Sequence, residues 1–259
     1  MVDRRIFATG LIVCGLAAGW FLRVLVAPHI APVAPVAAGS ASPLEPTVPL
    51  AEGSETTASR EAAFDAIYSS AAWGKNAEGV GNSGFGSKLQ TTLLYRTFLE
   101  QMMKDLKVQS VVDAGCGDWE FSQAIDWTGI DYKGYDIVPT VVEHDKQKFA
   151  KPNIQFFNAD IIETDLPPAD LLISKHVLQH LPNADVQKFL TKQLPKYKYI
   201  VLTDGVRRDT LSSTNPDIKP GQYRPLDLTQ PPFNVHGAKV LTWWDGVDMH
   251  QVLFITGKK

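Results

Sequence analysis

Three features of the sequence predict an α/β fold with a doubly wound, mostly parallel sheet. Five short apolar runs, VQSVVDA, YKGYDIV, IQFFNAD, DLLISKH and YKYIVLTDG, alternate with segments of helical periodicity between Val108 and Gly205. Apolar strands of this length, separated by helices, belong to a parallel sheet covered on both faces. The first run leads into a glycine-bearing turn, DAGCG. The tail holds two further strands, AKVLTWW and HQVLFITGK, parted only by DGVDM, which predicts an antiparallel hairpin closing the sheet edge.

The helices follow from the same periodicity. EAAFDAIYSS reads as a short helix, WGKNAEGVGNSGFGS as a glycine-rich loop, and KLQTTLLYRTFLEQMMKDL as a longer helix before the first strand. Between strands, helices are expected through WEFSQAI, through TVVEHDKQKF, and from Asn183 through QKFL.

The region before residue 61 divides differently. A basic tail, residues 1–5, precedes the run Ile6 to Ala27, which carries a single charge, Arg23, placed near its end where it can snorkel. That length predicts one transmembrane anchor over residues 6–27. A cleaved signal segment and a buried or surface helix are the alternatives. Residues 28–60 shift to Ala, Pro, Ser and Thr, a composition that cannot build a core and predicts a disordered Pro/Ala-rich linker. The globular domain is expected over residues 61–259.

Composition narrows the function classes. Net charge is −3, and residues 1–60 hold four basic and four acidic side chains, so the deficit belongs to the domain. No basic stripe is present, which argues against a nucleic-acid partner. Cys14 and Cys116 lie in unrelated contexts, so neither a disulfide framework nor a metal site is expected.

In a doubly wound sheet, ligands bind over the carboxyl ends of strands where the strand order reverses, and Asp113 to Gly117 sits at such an end. A glycine pair alone is equally a tight strand-to-helix turn. The acids around it are more telling. A dinucleotide would bring a diphosphate against Asp113, Asp118 and Glu120, and its fingerprint needs a small residue where Glu120 stands. S-adenosylmethionine brings an ammonium and a sulfonium, and its carboxylate can rest on backbone N–H groups. Asp136 ends the second strand, where a carboxylate can accept both ribose hydroxyls. Asp160 ends the third, where it can accept from an adenine amino group while the Ile161 amide meets a ring nitrogen. Each acid alone could be a cap or turn residue. Three at successive strand ends point to the cofactor.

With DAGCGDW, GYDI, NADI and ISKHVLQHL in this order and spacing, residues 90–205 resemble the class I S-adenosylmethionine-dependent methyltransferases. The resemblance implies a seven-stranded sheet with one antiparallel strand. It also implies that Asp113, Gly115 and Gly117 hold the methionine part, Asp136 the ribose, and Asp160 with Ile161 the adenine. Ser174 and Lys175 would border the sulfonium. The chain departs from the family's glycine loop at Trp119, which would either wall the cofactor site or pack beneath it.

Methyl transfer rests on holding acceptor, methyl and sulfur in line, with a base where the acceptor is a hydroxyl. His176 and His180 are the expected bases, since one helical turn would bring both to one face. A zinc reading fails on Val177, where the metalloprotease helix carries glutamate. Tyr223 and Arg224, in the proline-constrained stretch 217–233, are expected to contact a polar acceptor, unless that stretch is a rigid packed loop. The glycine-rich loop with Trp73 and Phe85 is either a lid or a connector.

The expected function is therefore methyl transfer by a membrane-tethered enzyme to a glycan or a small polar molecule. Its alternatives are a cofactor-binding scaffold and a nicotinamide-dependent oxidoreductase. Aromatic Trp73, Tyr223, Trp243 and Trp244 near the expected rim suit a carbohydrate. Arg4 and Arg5 ahead of the apolar run favour the non-cytoplasmic side for the domain, against the usual cytoplasmic supply of the methyl donor.

Overall fold

A computed structural model describes residues 54–257. The expected anchor over residues 6–27 lies outside them, as does most of the expected linker. Among the described residues no helix is long and apolar enough to cross a membrane.

The first helix begins inside the segment expected to be linker. α1 (Thr57–Ser69) is capped by the Thr56 hydroxyl, which accepts from the Ser59 amide at 3.1 Å. Arg60 is buried and carries α1 onto the domain through carboxylates. Residues 54–60 are thus part of the folded unit, because a buried arginine with acidic partners anchors them as apolar residues would. α2 (Leu93–Leu106) ends at Lys107 in a left-handed cap and buries Tyr95, Leu99 and Met103, spaced one helical turn apart.

The sheet runs β1 (Ser110–Ala114), β2 (Asp131–Asp136), β3 (Ile154–Asn158), β4 (Leu171–Lys175), β5 (Tyr199–Val206), β6 (Ala238–Trp244) and β7 (Met249–Thr256). Its spatial order is β3-β2-β1-β4-β5-β7-β6. The first five strands are parallel and β7 is antiparallel to both its neighbours, as expected. The order in which successive strands are laid down reverses between β1 and β4, the topological switch point. Successive residues face opposite layers: Val111 joins one core with α2, while Val112 joins the other with α4 (Asn183–Gln193). α3 (Pro139–Phe149), with proline in its first turn, follows β2.

One expected helix is missing. WEFSQAI forms only a single 3₁₀ turn, Ser122–Ala124. Trp119 takes a left-handed φ of 54°, which breaks a right-handed run, and Trp119, Phe121, Ile125 and Trp127 all bury in one core. That spacing matches no helical face. Left-handed backbone at a bulky residue costs about 1–3 kcal/mol. Burying an indole removes about 150–250 Å² from water, worth about 4–6 kcal/mol at about 25 cal/mol per Å². Burial therefore wins, and Trp119 packs against Trp127, Tyr132, Phe149 and Phe156 rather than facing a ligand.

Candidate functional site

A cleft of about 320 Å³ opens over the carboxyl ends of β1, β2 and β4. That lies in the range of small-molecule sites, about 300–1,000 Å³. Its floor is the turn after β1. Gly115 has φ of 87°, and a Cβ there would come within 2.3 Å of the Val177 side chain. Gly117 has φ of 58°, and its Cβ would meet the Ser83 hydroxyl at 2.3 Å. Only glycine fits at either place.

The acids stand around this turn. Asp113, the penultimate residue of β1, lies beneath the cleft and accepts from the Tyr132 hydroxyl at 2.7 Å. Burial pushes its pKa up to about 7, opposed by that bond and by Lys175. Asp136, at the end of β2, accepts from the Gly117 and Val138 amides at 3.0 Å each. Burial raises its pKa too, against those backbone bonds. The turn is therefore held to β2 by one of the side chains expected to meet the ribose.

Asp160 also lines the cleft, but its oxygens are engaged. Oδ2 accepts from Arg60 Nη2 at 2.7 Å and from the Thr57 hydroxyl at 2.7 Å, and Oδ1 accepts from the Ile162 amide at 2.9 Å. Burial opposes the charge, yet Arg60 and Thr57 hold the carboxyl below its ordinary range. Its geometry is that of a clasp for α1, and Ile161 beside it remains on the cleft wall.

Of the pair expected at the sulfonium, Lys175 lines the cleft and Ser174 does not. Ser174 points the other way and donates to the Ala114 carbonyl at 2.9 Å, tying β4 to β1. Neighbouring residues of a strand face opposite sides, so the two cannot share one wall. The Lys175 ammonium donates to the Gly86 carbonyl at 2.6 Å and lies 5.0 Å from the centre of the Phe121 ring. Burial lowers its pKa to about 7, against the pull of Asp245 and Asp113.

His176 and His180 both line the cleft, but no helical face carries them. His176 has φ of 56°, and only Leu178–His180 forms a 3₁₀ turn. His180 is fully engaged: Nδ1 lies 3.0 Å from the Gln222 carbonyl and Nε2 lies 3.2 Å from Gln179 Nε2. Burial takes its pKa down to about 4, so it is neutral and already bonded on both nitrogens. Its ring packs between Trp73 and Tyr223.

Tyr223 reaches the cleft from the stretch 217–233 and is half exposed. Arg224 does not reach it. Its guanidinium is buried and donates to the Leu181 carbonyl at 2.7 Å and Asn183 Oδ1 at 2.8 Å, so it pins the stretch to the start of α4. Of the expected rim aromatics, Trp73 lines the cleft, Trp243 is buried, and Trp244 is exposed beside Arg208. The glycine-rich loop does fold over the site, through Trp73 and Ser83 to Ser87.

Several lining residues were not legible in the sequence. Arg60, Tyr68 and Ser83 come from before the sheet, and Asp245, Asp248 and His250 from the hairpin at its far end. His250 alternates inward on β7, a signal the HQVLFIT pattern carries weakly. His250 Nε2 lies 2.7 Å from Asp245 Oδ2, with both side chains buried.

The donor set suits S-adenosylmethionine: buried carboxylates at Asp113 and Asp136 stand beside a glycine turn, where a cationic ligand is favoured over a diphosphate.

Residues 112–193, from β1 through α4, match the family described as a methyltransferase domain. No curated protein sequence matches the chain. Among solved structures, the chain is similar to magnesium protoporphyrin IX methyltransferase from Synechocystis PCC 6803 with bound SAM, at 16% identity over 65% of this chain and 79% of that one, TM-score 0.48. It is similar to human N-acetylserotonin methyltransferase in complex with SAM, at 18% identity over 65% of this chain and 56% of that one, TM-score 0.43. It is also similar to an S-adenosylmethionine-dependent methyltransferase from Clostridium acetobutylicum ATCC 824, at 12% identity over 44% and 54%, TM-score 0.38. The family match falls on the strands that build the cleft, and this likeness supports an S-adenosylmethionine-dependent methyltransferase.

Proposed function

We propose that this enzyme methylates a polar group of a glycan or small molecule and is held at a membrane by its N-terminal segment. The carrying observation is the division of one cleft into two chemistries. Asp113, Asp136 and the glycine turn line it along β1 and β2, while His176 and His250 adjoin where β4 and β7 reach it, with Asp245 beside them. When bound, S-adenosylmethionine supplies a methyl carbon on a sulfonium, and an acceptor lone pair takes that carbon as the C–S bonding pair stays on sulfur.

The chain's own residues hold and orient. Asp113 faces the methionine ammonium, with Gly115 and Gly117 letting the backbone approach. Asp136 accepts from the ribose hydroxyls, and Ile161 lies against the adenine. Asp160 serves that end indirectly, by holding α1 through Arg60. Lys175 borders the reacting centre, where burial eases the loss of its proton and so limits its repulsion of a sulfonium. Trp73, His180 and Tyr223 form an aromatic wall for the acceptor, a surface suited to the apolar face of a sugar ring.

The tether rests on the apolar run Ile6 to Ala27, and the non-cytoplasmic side on Arg4 and Arg5 ahead of it. Incubating the full chain with methyl-labelled S-adenosylmethionine and cell extract, then fractionating, tests the acceptor. Label in glycan or small-molecule fractions supports the reading, and label in protein or nucleic acid contradicts it. Release of the full chain from membranes by salt alone would contradict the tether.

A further inference from the structure

At the acceptor end of the cleft two imidazoles stand with centroids 4.4 Å apart and planes inclined by 33°. Their hydrogen bonds assign them complementary roles. His250 Nε2 faces the Asp245 carboxylate, which burial opposes but which the Asp248 and Val247 amides and His250 hold below its ordinary pKa. An ionised carboxylate only accepts, so the ring proton sits on Nε2 and Nδ1 is a bare lone pair. That Nδ1 is buried and has no protein partner. In His176 the polarity is reversed toward the cleft. Its Nδ1 lies 3.2 Å from Lys175 Nζ, which also donates to the Gly86 carbonyl; with Nζ the donor in both contacts, Nδ1 accepts and the ring proton sits on Nε2. That Nε2–H is also buried without a protein partner.

One free acceptor and one free donor therefore lie on adjoining rings in one cleft. A buried polar group left unpaired is costly, and pairs of this kind persist where a ligand completes them. A hydroxyl completes both, because its oxygen accepts while its hydrogen is donated. A protonated amine has no lone pair for the His176 donor.

We propose that His176 and His250 together recognise an acceptor hydroxyl, with His250 Nδ1 as the general base and Asp245 as its positioning residue. The inference rests on the methyl-transfer reading and makes the product an O-methyl ether. As the hydroxyl oxygen bonds the methyl carbon, its O–H bond breaks and the proton passes to His250 Nδ1. The imidazolium so formed is paired through Nε2–H with Asp245 and later returns the proton to solvent. His176 Nε2–H keeps the oxygen aligned. Burial depresses both imidazoles below their ordinary pKa. Lys175 and His250 lower His176 further, while Asp245 and Asp248 partly restore His250 against Lys175. Both rings stay neutral near pH 7, as the two roles require. Gly86 packs over them: a Cβ there would lie 2.7 Å from His176 Cε1 and Nδ1, and 3.9 Å from His250 Cε1. The loop thereby keeps water from the pair.

Long-range ¹H–¹⁵N correlation spectra of the histidine rings in the ¹⁵N-labelled full chain, at pH 7.5 and without ligand, test the assignment directly. Both His176 and His250 are expected as the neutral Nε2–H form, and replacing Asp245 by alanine is expected to let His250 populate both tautomers. A His250 carrying its proton on Nδ1, or an imidazolium at either position, would overturn the proposal. In the extract assay, His250→Gln should lower label transfer by about 100-fold or more while its S-adenosylmethionine affinity stays within about twofold. Undiminished transfer, or N-methyl products, would overturn the proposal while leaving the methyltransferase reading intact. Failure of the wild-type chain to bind S-adenosylmethionine would instead defeat that reading, and the ring tautomers would still decide the hydrogen-bond assignment.

Discussion

Arg60 Nη2 lies 2.7 Å from Asp160 Oδ2, and Nη1 of the same guanidinium lies 2.9 Å from Asp185 Oδ1. One arginine thus joins α1 to the end of β3 and to the first turn of α4, with all three side chains at most 4% exposed. Removing it strands two buried carboxylates. Arg60→Met should destabilise the domain by about 3–5 kcal/mol, read by urea denaturation. A change below about 1 kcal/mol would show that α1 is not pinned there.

Asp136 holds the Gly117 and Val138 amides and faces the cleft. Asp136→Ala should weaken S-adenosylmethionine binding by about 1–3 kcal/mol, about 5- to 150-fold in Kd by calorimetry. Unchanged affinity would remove Asp136 from the cofactor site.

The close approach of Gly86 to the two imidazoles leaves no room for a side chain. Gly86→Ala should push the loop away from His176 and lower methyl transfer by about 10- to 100-fold in a labelled-methyl assay, with little change in cofactor affinity. Full activity would mean that the loop does not shape the acceptor end.

Stability should depend on pH in two opposed ways. Lys175 loses its proton near pH 7 in the fold but near 10.5 in the unfolded chain, so between these values the unfolded state binds more protons and stability from this group rises with pH. Asp113 behaves oppositely. Its pKa is raised from 3.8 to about 7, so its contribution is present below about pH 4 and is lost as pH rises through 7. Denaturant titrations at several pH values should show Lys175→Met losing the rising limb above pH 7, and Asp113→Asn losing the falling limb below it. Parallel profiles for variants and wild type would contradict these shifts.

The seven strands and the acids at three strand ends were legible because they are local: an apolar run, its alternation and the residue that ends it. Tertiary competition decided the rest. Trp119 to Ile125 has adequate helix formers, yet the core drew its aromatics inward at a spacing no helix provides. Ser174 and Lys175 were adjacent in the motif but face opposite sides of β4. Arg224 resembles a surface cation in sequence and is a buried brace on backbone carbonyls. Asp245 and His250 lie about 70 residues beyond the fourth strand, and only the antiparallel return of β7 beside β5 brings them to His176.

The most direct measurement is calorimetric titration of the full chain with S-adenosylmethionine and, separately, with NAD. Saturable one-to-one binding of S-adenosylmethionine, weakened by Asp136→Ala, with no heat from NAD, is the result expected of this cleft. Binding of NAD, or no binding of S-adenosylmethionine by the folded chain, would contradict the assignment of its acids to a sulfonium cofactor.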